Sequence, residues 1–261
     1  MPDWFGADKF ERAFKSALKR CDISVTERKN DNLYLLSMGQ LEIEADTTAV
    51  RQRFMKTRSQ NTLDNFADEL SYRFSLEGRL NSFTNAQSYL RLIVLREDEP
   101  QDGMIYSDFA GTLKKAVCYV GERNDIHMLN DKYLRRWSVP KEVLFSVADR
   151  NMGRFLAKTD FNFTEITQGV NVVEFEAKGD ALVVSTMLCT DFRDFITERL
   201  GYPFLVAAPS RETLLAVHDI PDSIFCSLGE AVARDNKWAD SPLTTEIFCF
   251  TPDGISVAAK F

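Results

Sequence analysis

The sharpest patterning of hydrophobic and polar positions runs from Gly179 to Asp219, GDALVVSTMLCTDFRDFITERLGYPFLVAAPSRETLLAVHD. Ala181–Thr186 is a short apolar run rich in β-branched residues, which predicts a buried strand. Thr190 is placed to cap a helix with its hydroxyl. Phe192, Phe195, Ile196 and Leu200 then recur at helical spacing as one apolar stripe, with Phe195 and Ile196 expected in the core. Gly201 suits the left-handed conformation that ends a helix, and Pro203 cannot extend one. Phe204–Ala207 is apolar again, Pro209 and Ser210 predict a turn, and Glu212–Val217 predicts a returning strand. A hairpin directly after a helix implies antiparallel pairing.

Similar patterns punctuate the rest of the chain. Asp3–Arg20 reads as an amphipathic helix with Phe10, Ala13, Phe14, Ala17 and Leu18 on one face. Ile23–Glu27, Leu33–Ser37 and Leu41–Ala45 read as strands, and Thr47–Met55 as a short helix. Asn61 with Asp64 resembles a capping box ahead of the stripe Leu63, Phe66, Ala67, Leu70 and Phe74. Tyr89–Leu95 is a strand ending in the solvated loop Glu97–Gly103. Ala116–Val120 and Ile126–Leu129 predict a hairpin, and Lys132–Arg136 a helical turn. Pro140 opens a helix bearing Val143, Leu144, Val147, Met152 and Phe155. Val170–Ala177 is a strand. Pro221 opens a helix with Ile224, Phe225, Leu228 and Val232. Thr251-Pro252-Asp253-Gly254 then turns Glu246–Phe250 back into Ile255–Ala259.

These elements define an α+β fold of mixed, largely antiparallel sheets with flanking helices. Residues 4–136 and 140–236 both read as helices alternating with groups of two or three strands, opening and closing on a helix. That order suggests two tandem lobes, 1–136 and 137–261, packing as one compact unit. A lobe of this order resembles the small fold of type III secretion chaperones, which hold segments of partner proteins. WSVPKEVLFSVADRNMGRFL at Trp137–Leu156, with its Ala148-x-x-Asn151 step, and FLVAAPSRETLLAVHD at Phe204–Asp219, with its Pro209-x-Arg211 turn, resemble YtpQ-like bacterial proteins of unknown function. The resemblance is one of pattern and covers nearly the whole chain, with a poor fit at Glu97–Gly111. It implies a cytoplasmic bacterial protein and supplies no catalytic residues.

Composition narrows the function classes. The 261 residues are 44% hydrophobic and 11% aromatic, enough to bury a substantial core. The net charge of −7 argues against non-specific binding to nucleic acid or to an anionic membrane. Trp4, Phe5 and Phe10 are interleaved with charges, so no signal-peptide core is expected, and no apolar run reaches bilayer length. The five cysteines, Cys21, Cys118, Cys189, Cys226 and Cys249, lack C-x-x-C spacing and read as buried thiols of a reducing compartment.

Candidate chemistry is sparse. His127 and His218 are the two histidines. His218 precedes Asp219 and shares a predicted hairpin with Ser210, but no G-x-S-x-G elbow accompanies them, and neither histidine is expected to be catalytic. Asp191, Asp194 and Glu198 on one helix could ligate Mg²⁺; the plainer reading is a solvated face near Arg199 that complements the helix dipole. Arg51, Arg53, Phe54, Lys56 and Arg58 form a basic cluster with an embedded aromatic, a candidate surface for an acidic partner or a solvated helix face. Neither phosphate-binding glycine loop occurs, so no cofactor is expected. The chain therefore reads as a non-enzymatic interaction, chaperone-like or regulatory module whose partner is another protein. The alternative is a metal-dependent hydrolase using clustered carboxylates.

Overall fold

The computed structural model describes residues 4–167, 169–176, 180, 182–218 and 220–261. Asp3, Ala177, Gly179, Ala181 and Asp219, which the sequence reading placed in elements, lie outside these. The α+β class with antiparallel sheets is present throughout. The chain divides into two compact units, 1–85 and 86–261.

In the first unit, α1 (Trp4–Arg20) leads into a three-stranded antiparallel meander of β1 (Ser24–Arg28), β2 (Leu33–Met38) and β3 (Leu41–Asp46). Met38 pairs with Leu41 around Gly39, whose φ of 63° suits a two-residue hairpin turn. Helices α2 (Thr48–Thr57) and α3 (Gln60–Arg79) follow. Ser59 precedes α3 without a side-chain cap, so the capping box expected at Asn61 and Asp64 does not form; both lie inside the helix. Phe10 and Phe14 from α1, Tyr34 and Leu36 from β2, and Leu63, Leu70 and Phe74 from α3 make one core. The stripe positions read from the sequence are its contributors.

The second unit holds two sheets. A short helix α4 (Phe83–Ala86), in which the division between units falls, and a 3-10 turn precede β4 (Leu90–Arg96). Strands β5 (Tyr106–Ala110), β6 (Leu113–Val120) and β7 (Ile126–Met128) complete the smaller sheet, in which β6 pairs with all three others. Helices α5 (Asp131–Trp137) and α6 (Lys141–Leu156) follow. The larger sheet has the order β13-β12-β10-β11-β9-β8. Its strands are β8 (Phe161–Thr167), β9 (Val170–Glu176), β10 (Phe204–Ser210), β11 (Thr213–His218), β12 (Glu246–Thr251) and β13 (Gly254–Lys260). Between β9 and β10 lie α7 (Leu182–Ser185), a 3-10 turn and α8 (Thr190–Leu200); α9 (Asp222–Trp238) joins β11 to β12.

Alternation along the strands gives the larger sheet two apolar faces. Val172, Leu205, Val217 and Ile247 pack with Val232, Ile224 and Leu228 of α9. Their neighbours Phe175, Phe204 and Phe250 face the other way: Phe175 and Phe250 meet Phe192 of α8, and Phe204 stacks on Phe250 at 4.9 Å. Both sheet hairpins read from the sequence, β10–β11 and β12–β13, are antiparallel as expected.

Three further expectations are corrected. The strand predicted at Ala181–Thr186 is α7 and the following 3-10 turn, buried from Leu182 to Cys189. A fully buried apolar run has no polar face to reveal its period, so strand and helix look alike in sequence. Here Asp180 Oδ1 accepts the Leu182 N–H at 2.9 Å and starts the helical turn. Thr190 does not cap α8; Cys189 is the cap residue, and the Thr190 N–H donates to Asp149 Oδ1 of α6 at 3.0 Å. The lobe boundary drawn at 136/137 falls between α5 and α6, inside the second unit. The strands assigned to a first lobe lie in two separate sheets, whereas those after residue 137 share one. The repeat of element order does not extend to strand pairing, so the tandem chaperone-like lobes are absent.

The two residues singled out with the family resemblance have structural work. Asn151 is buried, and its Nδ2 donates to Gln87 O at 2.8 Å and Leu90 O at 3.0 Å, fixing the entry into β4. Arg211 reaches the open edge of β4: Nη1 donates to Val94 O at 2.8 Å, and Nη2 pairs with Glu99 Oε2 at 2.5 Å. Ser185 Oγ accepts the Val94 N–H at 3.0 Å. Both outward backbone groups of this buried residue are thereby matched without a further strand.

Candidate functional site

One open feature of the second unit is the outer edge of β8. Among the described residues this strand pairs only with β9, and its side chains from Asn162 to Glu165 are exposed. Phe161 is held in place: its ring meets Phe195 edge-on at 5.0 Å and lies under the Arg199 guanidinium at 4.8 Å. Arg199 Nη1 donates to Phe195 O at 2.6 Å, so the cation is anchored to its own helix. Phe163 lies two residues further along the same face and beyond this cover, 52% exposed. Glu165 Oε1 accepts the Gly169 N–H at 2.7 Å, closing the β8–β9 turn, and His218 Nδ1 accepts the Asn171 N–H at 3.3 Å. The edge carries a bulge between Glu165 and Thr167 but neither lysine nor proline, two common guards against strand pairing.

The structure distributes the basic cluster of the first unit. Arg51 is bound to Asp31 O and, at 3.3 Å, to Asn32 Oδ1, with its guanidinium over the Phe10 ring. Phe54 is in the core. Arg58 ends α2 in the left-handed conformation, φ 53°, and contacts Met55 Sδ. Arg53, Lys56 and Arg58 are exposed.

Asp191, Asp194 and Glu198 are all exposed on α8. The Asp191 carboxylate occupies the space a side chain would need at Gly153 of α6, so that glycine admits the close approach of the two helices. Among the described residues, no three His, Cys, Asp or Glu side chains are grouped as metal ligands. His127 contacts Asp125 Oδ2, and its ring centroid is 6.4 Å from that of Tyr119. Ser210 pairs with Thr213 at the closed end of the β10–β11 hairpin, while His218 pairs with Phe204 at the open end. Among the described residues, neither imidazole is hydrogen-bonded to a serine or cysteine.

Burial pushes the Cys118 and Cys189 thiols up to about 12, so both are protonated at neutral pH. Cys226, expected to be buried, is exposed on α9, and Cys21 and Cys249 are half-buried. The helix carries its apolar stripe through Ile224, Phe225 and Leu228, and Cys226 falls off that side.

The β8 edge was missed in the sequence reading, although Phe161 and Phe163 alternate with polar residues as a half-buried strand does. No described helix is long and apolar enough to cross a membrane. Scans against protein-family models, curated proteins and solved structures each return no match to the chain.

Proposed function

We propose that this protein is a non-enzymatic interaction module that binds an extended segment of another protein along β8. The observation that carries the proposal is an edge with no strand partner among the described residues, on which Phe163 is half exposed while the preceding aromatic, Phe161, is partly covered by Phe195 and Arg199. A strand added there would gain main-chain hydrogen bonds, and an apolar side chain on it would cover Phe163. Glu165 is the ionisable group of the edge, which favours a neutral or basic segment. The dispersed, protonated thiols of Cys118 and Cys189 suit the reducing cytoplasm, where we place this activity. The pattern shared with YtpQ-like bacterial proteins belongs to the same reading and adds no catalytic group to it.

The test is photocrosslinking in the native host, with a photoreactive phenylalanine analogue at position 163 of the full chain. Adducts should map to one extended segment of a partner, and Phe163→Asp should abolish binding of that partner without changing the melting temperature. Adducts to the chain itself alone, or a partner bound equally well by Phe163→Asp, would refute the proposal.

A further inference from the structure

A second site lies away from β8, where β5, β6 and β13 meet the start of α8. It is a pocket of ≈ 320 Å³. Phe109, Leu188 and Ile255 supply apolar wall, and Lys115 and Arg193 supply two cations. The two come from distant parts of the sequence, β6 and α8, and each is half-buried. Each lies near an aromatic ring: Lys115 Nζ is 5.8 Å from the Phe145 centroid, and the Arg193 guanidinium is 5.9 Å from that of Phe250. Neither has an acidic partner among the described residues. The contrast with the preceding residue is direct, since Lys114 pairs with Asp108 at 2.7 Å. Two cations lining one pocket would both attract an anion bound there.

We infer that this pocket binds a small organic anion, an oxyanion head joined to an apolar body. The head sits between Lys115 and Arg193, and the body lies against Phe109, Leu188 and Ile255. Two of the amides at the helix start are already engaged. Asp149 accepts the Thr190 N–H, and the Cys189 carbonyl accepts the Phe192 N–H at 3.3 Å. The carboxylates of Asp149 and Asp191 also repel an anion from that side, so the attraction rests on the side-chain cations. The Cys189 thiol lines the pocket but is held protonated, so the site binds its ligand without attacking it. This site and the β8 edge share no residue, and either proposal can fail alone.

The test is titration calorimetry on the full chain with four probes: phenyl phosphate, phenylacetate, inorganic phosphate and neutral benzyl alcohol. At least one aromatic anion should bind below about 10 mM, at least about tenfold more tightly than inorganic phosphate or benzyl alcohol. Whichever of phenyl phosphate and phenylacetate binds more tightly identifies the head as phosphate or carboxylate. Lys115→Met and Arg193→Gln should each weaken that binding about tenfold while the melting temperature stays within ~2 °C of the parent. No binding of either aromatic anion up to about 10 mM would overturn the inference. Binding that both variants retain would also overturn it, as would equal affinity for benzyl alcohol or for inorganic phosphate.

Discussion

Ser185→Ala tests how the buried helical segment and the β4 edge depend on each other. Ser185 and Val94 are both 0% exposed, and the Val94 N–H donates to Ser185 Oγ at 3.0 Å. Alanine keeps the backbone and Cβ and removes the acceptor, so an amide sealed from water is left unmatched. The cost of a stranded buried donor is about 1–3 kcal/mol, whereas a hydrogen bond whose loss strands nothing is worth about 0.5–1.5 kcal/mol. Thr186→Val is the internal comparison. Thr186 Oγ1 donates to Val183 O within its own turn, at 2.6 Å, and the isosteric change should fall in the lower range. Because the chain has two compact units, a single global melt need not be two-state. Residue-resolved hydrogen exchange is therefore the assay. The Val94 amide and its β4 neighbours should exchange about 5- to 150-fold faster in Ser185→Ala, the equivalent of ~1–3 kcal/mol. Exchange at Val94 within about twofold of the parent, or a larger effect from Thr186→Val, would refute the reasoning.

Phe192→Ala should cost about 3–5 kcal/mol in denaturant unfolding of the second unit, since the ring is fully buried between Phe175 and Phe250. Phe195→Ala should cost less, because that ring is only half-buried and lies under Arg199 at 3.7 Å; equal costs would place the α8 face wrongly. Gly111→Ala should destabilise by roughly 1–3 kcal/mol in the same assay, through left-handed backbone strain and crowding of a buried carboxylate. Its φ is 52°, and a Cβ there would meet Glu246 Oε2, which also accepts the Thr112 N–H at 2.8 Å. Iodoacetamide at neutral pH should modify Cys226 and leave Cys118 and Cys189 intact until the chain unfolds. The same two thiols carry a sign for pH. Their folded pKa is raised to about 12 from the ordinary thiol value of 9.0, so the unfolded chain loses these protons first. Stability from this source is complete below about pH 9 and falls as pH rises toward 12; a rise in stability over that interval would contradict it.

Periodicity made most helices and hairpins legible because one face of each meets water. The stripes Phe10–Phe14–Leu18 and Leu63–Leu70–Phe74 became the core of the first unit. Thr251-Pro252-Asp253-Gly254 became the last turn, with Thr251 pairing with Gly254. Where both faces are covered, the signal vanished. Leu182–Cys189 is buried on all sides, and its identity as helix depends on Asp180 and on the backbone of β4, where Val94, 91 residues before Ser185, donates to its hydroxyl.

The same limit explains the failed duplication and the poor visibility of both proposed sites. Element order along a chain does not determine which strands pair. In the second unit, the two sheets are tied by contacts such as Arg211 with Val94, 117 residues apart, and Thr112 with Glu246, 134 apart. Those polar ties secure the edge of β4 and the β5–β6 turn, while β8 stands as an outer strand of the larger sheet, paired with β9. The basic cluster at residues 51–58 shows the converse. Its residues adjoin in sequence, yet helical geometry sends Phe54 inward and gives Arg51 to the β1–β2 turn. Lys115 and Arg193, which no local pattern connects, end in one pocket. Charge density along the sequence is thus a poor guide to charge density in space, and for this chain the cations that converge carry the stronger argument.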